Sequence, residues 1–288
     1  MFAALPPSHE IGALEACWHF LVLGVVQGIT EFLPISSTAH LKVVPVLLGW
    51  GDPGVSVTAV IQLGSILAVI AFFRDDLRQV TAGVVAGARQ RQWQDPQARL
   101  GLAIVLGTLP ILAAGLAIKV GVRDFDHSPL RSLSSIGVVS IVMALLLALA
   151  ERIGSRRRLL QQVQVRDGVL VGLAQALALI PGVSRSGSTL TASLFDGWNR
   201  ADAARFSFLL GIPAITIAGL VELKDAFSQP LPGGVLPLLV GIISSAVVSW
   251  LAIAWLLRFL QQHSTWWFVG YRLFFGVGLL LWVARFPG

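Results

Sequence analysis

The chain has 288 residues, of which 55% are hydrophobic and 12% charged, with a mean hydropathy of +0.78. A soluble domain carries about 25% charged residues. Half that fraction leaves too little polar surface to cover a globule in water, which excludes a soluble enzyme, a disordered chain and a secreted disulfide scaffold and points to an all-α polytopic membrane protein. The net charge of +6 does not signal nucleic acid, because most basic residues sit in short loops between apolar runs. Cys17 stands alone, so no intrachain disulfide is expected. The first basic residue is Lys42, so no basic leader segment is expected either.

In chain order, the first apolar stretch covers 11–48. Glu15, His19, Gln27, Glu31, Pro34, Ser36, Ser37, His40 and Lys42 interrupt it. It predicts a helix, a proline turn and a second helix, each arm too short to cross, so that the pair enters and leaves a bilayer by one face. Such backbone is tolerated only where protein or a water-filled cavity surrounds it. Three stretches of about 20 apolar residues follow at 55–73, 100–118 and 132–150, the length that a span needs. The stretch 168–195 is interrupted again, by Gln175, Pro181, Ser184, Arg185, Ser186 and Gly187, and predicts a second re-entrant pair. Spans at 203–221, 234–257 and 266–284 complete the chain, with Pro213 and Pro237 inside two of them. The expected fold is six transmembrane helices plus two re-entrant helix pairs, in a single integral membrane domain.

The loops orient the chain. Thirteen arginines fall in 74–99, 151–167, 195–205 and 258–265. The other side holds six basic residues: Lys42, Lys119, Arg123, Arg131, Lys224 and Arg285. Positive loops stay cytoplasmic, so both termini are expected outside, and the loop arginines are expected to serve topology alone.

The two interrupted stretches resemble each other. GVVQGITEFLPISSTAH begins at Gly24 and GLAQALALIPGVSRSGS at Gly172. At a shift of 148, Gln27 meets Gln175, Ser36 meets Ser184 and Thr38 meets Ser186, with Pro34 and Pro181 one residue out of step. Three spans follow each stretch. An odd number of crossings inserts the copies in opposite senses, an inverted-topology repeat over about 11–122 and 168–284. The tips are expected to meet near the midplane.

Ionisable groups at membrane depth are costly and default to functional candidates. Gln27 and Glu31 share one helix face. Pro34 ends that helix, and Ser36, Ser37 and Thr38 open the next, where serine and threonine are favoured caps. In the second copy Ser184, Arg185, Ser186 and Gly187 open a helix, with Gly187 allowing close backbone approach. Two helix N-termini, several hydroxyls and one arginine at a single point make a phosphate site. Glu31 offers a metal ligand or a base. His40 offers a nucleophile, base or acid. Structural alternatives stand beside these: Glu31 as a cap or a partner of Arg185, His40 as a packing residue, the serines as plain caps. Arg272 and Glu222 are expected in structural pairing or interface anchoring. Gly276 and Gly278 permit close helix packing, including in a homodimer.

GVVQGITEFLPISSTAH and PGVSRSGST closely resemble the two signature motifs of the undecaprenyl-pyrophosphate phosphatase family, the bacitracin-resistance type. IQLGSILAV (61–69) and FSFLL (206–210) are similar to that family as well, so the resemblance covers most of the chain. It implies a bacterial inner-membrane enzyme that works at the outer face and removes the terminal phosphate of a C55 isoprenoid diphosphate, with a divalent cation, Mg or Ca. By match of motif it puts Gln27 and Glu31 at the metal; Ser36, Ser37, Thr38 and His40 in the first phosphate loop; and Ser184, Arg185, Ser186 and Thr189 in the second. Gln27 stands where glutamate is common and Ala39 where glycine is common. Attack by His40, by Ser37, or by water activated at His40 remains open at this level. A lipid-phosphate flippase is the competing expectation, because broken helices in inverted repeats are also transporter architecture.

Overall fold

The computed structural model describes residues 12–121, 128–226 and 234–286, apart from the side chains of 55–56 and 222–226. Arg123 and the side chains of Glu222 and Lys224 therefore lie outside the described residues. Among the described residues the regular structure is helical. The helices are α1 (Ala13–Phe32), α2 (Ser37–Leu47), α3 (Gly54–Phe72), α4 (Arg74–Gln90), α5 (Pro96–Gly121), α6 (Leu133–Ile153), α7 (Val165–Ala176), α8 (Arg185–Phe195), α9 (Arg200–Ala226), α10 (Val235–Gln262) and α11 (Trp266–Arg285), with three short 3₁₀ turns between them.

Among the described residues six helices are long and apolar enough to cross a membrane: α1, α5, α6, α9, α10 and α11. The number matches the sequence pattern. α1 is not a short arm. It runs 20 residues, about 30 Å at the helical rise, because Glu15, His19 and Gln27 are single polar positions that a helix accommodates. Val57–Phe72 of α3 adds a further candidate together with α4, from which it is bent by 67°. The bend falls where the apolar run meets Arg74, Asp75 and Asp76. The second pair has the short arms expected, 12 residues in α7 and 11 in α8.

Small residues set the packing. A β-carbon on Gly24 of α1 would lie 2.5 Å from the carbonyl of Gly241 in α10. One on Gly172 of α7 would lie 2.2 Å from the carbonyl of Gly107 in α5. So α1 lies directly on α10 and α7 directly on α5, by backbone contact that larger side chains would prevent. Gly276 is used in the same way inside the chain, where a β-carbon would lie 2.7 Å from the Gly137 carbonyl of α6, whereas Gly278 faces open space. One apolar cluster joins these layers, with Phe32, Val69, Leu147, Phe208 and Ile253 among its members.

The arginine-rich loops also carry structure. Buried Glu151 accepts from Arg156 and Arg200 and from the Thr265 hydroxyl at 2.7 Å. Arg158 bridges buried Asp167, at 2.5 Å, and Asp196. A carboxylate buried without such a partner would carry a large desolvation cost, so these arginines also tie the ends of α6, α7, α8 and α9 together.

Candidate active site

Pro34 forces Leu33 into an extended conformation (φ −69°, ψ 143°), and α1 stops there. The chain turns into α2 at Ser36, whose Oγ accepts from the Ala39 N–H at 3.4 Å. The second tip is built alike. Pro181 and Gly182 turn the chain, and Ser184 caps α8 by accepting from the Gly187 N–H at 3.1 Å. Ser36 (φ 78°, ψ 101°) and Ser184 (φ 71°, ψ 118°) have nearly the same backbone conformation, one that side-chain-bearing residues seldom adopt. These are the two serines that the 148-residue shift superposes.

The tips touch. Ser186 Oγ donates to the carbonyls of Glu31 at 3.3 Å and Leu33 at 3.0 Å. Arg185 Nη2 donates to Glu31 Oε1 at 3.3 Å. The other carboxylate oxygen of Glu31 accepts from Ser37 Oγ at 2.8 Å and from Gln27 Nε2 at 3.1 Å. Gln27 Nε2 also reaches Ser65 Oγ at 3.4 Å, and Ser65 in turn meets Ser245 and Ser249. Glu31 is therefore the hub of the site, with a cation on one oxygen and a hydroxyl on the other.

Arg185 is not saturated by Glu31. Its Nε and Nη1 are buried with no hydrogen-bond partner among the described residues. Buried donors are nearly always paired, and an arginine fork with unspent donors suits a planar or tetrahedral anion. The guanidinium fits because residue 211 is glycine: a β-carbon there would lie 1.5 Å from Nη1.

A cavity of about 140 Å³ lies between the tips, lined by Glu31, Ser36, Ser37, Thr38, Ser184 and Arg185 among others. A neighbouring cavity of about 320 Å³ shares Ser37, Thr38 and Gln62 with it and adds Gln27, Lys42, Asp52 and Arg131. Six of the sequence-expected residues thus face one space, and Gln27 faces the next. The rest lie behind it. Ser186 staples the tips, Gly187 satisfies Ser184, and Thr189 pairs with Ser207 and the Arg185 carbonyl.

His40 lines neither cavity. Its Nδ1 lies 2.7 Å from the Ser36 carbonyl and its Nε2 2.6 Å from the Tyr271 hydroxyl, and the ring stacks on Phe275. A carbonyl only accepts, so Nδ1 carries the hydrogen, and in the neutral ring Nε2 accepts from Tyr271. Three further residues were not singled out by sequence reasoning: Tyr271, Gly211 and Gln62. Each is unremarkable inside an apolar helix until the fold places it. Arg272 was expected in an anchoring or pairing role. It is buried (1% exposed) rather than interfacial. Its guanidinium donates to the carbonyls of Pro34 at 3.1 Å, Gly182 at 2.7 Å and Ser140 at 3.3 Å, so it grips both tips from behind.

Among the described residues there is no group of three or more histidine, cysteine, aspartate or glutamate side chains that would hold a metal ion. Glu31 and the amide oxygen of Gln27, which takes no part in the contacts above, form a sparse donor set. Such a set suits a hard cation that keeps waters and takes its other ligands from a substrate phosphate.

Residues 20–278 match the family described as bacitracin resistance protein BacA. A protein of Synechococcus sp. (strain WH7803), named undecaprenyl-diphosphatase, is 73% identical over 275 residues, 96% of each chain. Proteins of the same name from Parasynechococcus marenigrum (strain WH8102) and Prochlorococcus marinus (strain MIT 9303) are 71% identical over 277 residues (96% of each chain) and 72% identical over 269 residues (93% of this chain and 92% of the relative).

Proposed function

This chain belongs to the bacitracin resistance protein BacA family, and from that membership and the geometry of the paired tips we propose that it hydrolyses undecaprenyl diphosphate to the monophosphate carrier lipid and inorganic phosphate. It is a membrane-embedded hydrolase of a phosphoric anhydride bond. The observation that carries the site assignment is Arg185, whose two unspent buried nitrogens adjoin a cavity where Ser37 and Glu31 are hydrogen-bonded at 2.8 Å.

Arg185 and the N-termini of α2 and α8 bind the diphosphate and stabilise charge in the transition state. Ser37 Oγ attacks the terminal phosphorus and passes its proton to Glu31. An O–P bond forms, the anhydride P–O bond breaks, and the lipid leaves as its monophosphate. Water then cleaves the phosphoserine: its oxygen joins phosphorus, the proton on Glu31 returns to Ser37 Oγ, and orthophosphate departs. Glu31 and Gln27 are the residues that would hold a divalent cation, Mg or Ca, which when bound neutralises phosphate charge. His40, with both ring nitrogens engaged, acts in this reading by fixing the Ser36 turn, with Tyr271 behind it. A carrier would have little use for a serine hydroxyl hydrogen-bonded to a carboxylate beside an anion site, which favours hydrolysis over simple lipid transport.

The larger cavity is lined by Asp52 and Arg131, in loops opposite the arginine-rich ones. That supports a bacterial inner-membrane enzyme whose site opens toward the periplasm. The matching conformations of Ser36 and Ser184 support the inverted repeat. Purified protein in detergent is expected to release phosphate from C55 isoprenoid diphosphate, less so with chelator. Arg185→Ala and Ser37→Ala are each expected to lose at least about a thousandfold in turnover. Near-normal turnover in either variant would sink its assigned role.

A further inference from the structure

The larger cavity is not needed to explain the chemistry at Glu31, Ser37 and Arg185, yet it carries charge of its own. Among the described residues, Lys42 and Arg131 are the cations on its wall and Asp52 the carboxylate. Much of the remaining wall is apolar, from Leu41, Ile118 and Leu179. Lys42 is four residues beyond Thr38 on α2, so it lies on the same helix face about 6 Å further along. Thr38 lines both cavities, so the two spaces meet at the very residues that receive the phosphates.

Orthophosphate released at Ser37 is multiply charged, and an apolar passage would oppose its departure. We propose that the larger cavity is a second anion subsite, in which Lys42 and Arg131 receive orthophosphate from the reaction centre and deliver it to water. The Lys42–Asp52 ion pair sets how tightly it is held. That pair is long, 3.7 Å, and Asp52 is 48% exposed, so the ammonium remains able to take a second partner. Asp52 competes with phosphate for Lys42 and favours release. The hydrolase reading supplies the source of the phosphate, but the subsite itself is a binding claim that stands apart from turnover.

The test is binding of inorganic phosphate to the purified full chain, followed by calorimetry or phosphorus NMR, without substrate. Lys42→Gln is expected to weaken phosphate binding by about tenfold, also in an Arg185→Ala background, and Lys42→Arg to retain it. Asp52→Asn is expected to act with the opposite sign and tighten binding by about threefold. In turnover, Lys42→Gln should relieve product inhibition by phosphate and leave KM for the lipid diphosphate within about twofold. Phosphate binding indifferent to residues 42 and 52 overturns the proposal. So does a KM that rises with phosphate binding unchanged, since the cavity would then take substrate. Lys42-dependent binding by a protein that shows no turnover would fell the hydrolase reading and leave the subsite standing.

Discussion

A β-carbon at Gly211 would sit 1.5 Å from Nη1 of Arg185, a separation no folded protein tolerates. Gly211→Ala therefore displaces the guanidinium without removing it. Alanine is otherwise the better helix former by roughly 0.5–1 kcal/mol, so a folded protein with a misplaced arginine is expected. The expected loss in kcat/KM is about a hundredfold, the scale of one transition-state donor. Kinetics beside a melting curve in detergent checks it, and unchanged kcat/KM would show that Arg185 has room to move. Residues such as Glu31 and Arg185 are legible in the sequence because a charge inside an apolar run has no cheap structural explanation. Gly211 and Tyr271 are not, because glycine and tyrosine are ordinary there, and their meaning lies in what another helix brings against them.

The short helices α2 and α8 hold the hydroxyls, but α11 keeps the two tips in register. Arg272 reaches Pro34 on one tip and Gly182 on the other, and Tyr271 beside it meets His40. Arg272→Lys preserves the charge but not the fork of donors. It is expected to leave the protein in the membrane, with a loss of roughly 2–4 kcal/mol in stability, and to lower kcat more than it raises KM. Arg272→Gln should do the same more severely. If the lysine variant restores full kcat, charge rather than geometry is what the site needs. At this scale the sequence predicts the proline turns and serine caps correctly, since both follow from local backbone sterics. It misjudges α1, because scattered polar residues read as interruptions when their helix partners are unknown.

Across the whole molecule, the arginine-rich loops and the cavity lined by Asp52 and Arg131 lie on opposite sides in the proposed orientation. A Cys17→Ser background with a single cysteine at Asp52→Cys or Arg157→Cys makes this measurable. An impermeant maleimide is expected to label the first on intact cells and the second only after the membrane is opened. The reverse pattern would invert the topology and turn the active site inward. The exposed positions of Asp52 and Arg157 make both substitutions mild.

Composition and periodicity alone determined the helical membrane class, the count of six apolar spans, the two proline-broken tips and the polar residues that stand at them. They did so because a bilayer prices every charge and every unpaired backbone group, so departures from apolarity are few and informative. Only the tertiary structure decided which of those residues share a cavity. It turned His40 toward Tyr271 and away from the space between the tips, set Ser37 against Glu31, left two nitrogens of Arg185 unspent, and gave Arg272 three carbonyls drawn from both tips and α6. Apart from the Ser37–Glu31 contact across the first turn, those outcomes depend on close approach between helices about ninety residues or more apart in the chain, which glycine-lined packing permits and no local pattern encodes.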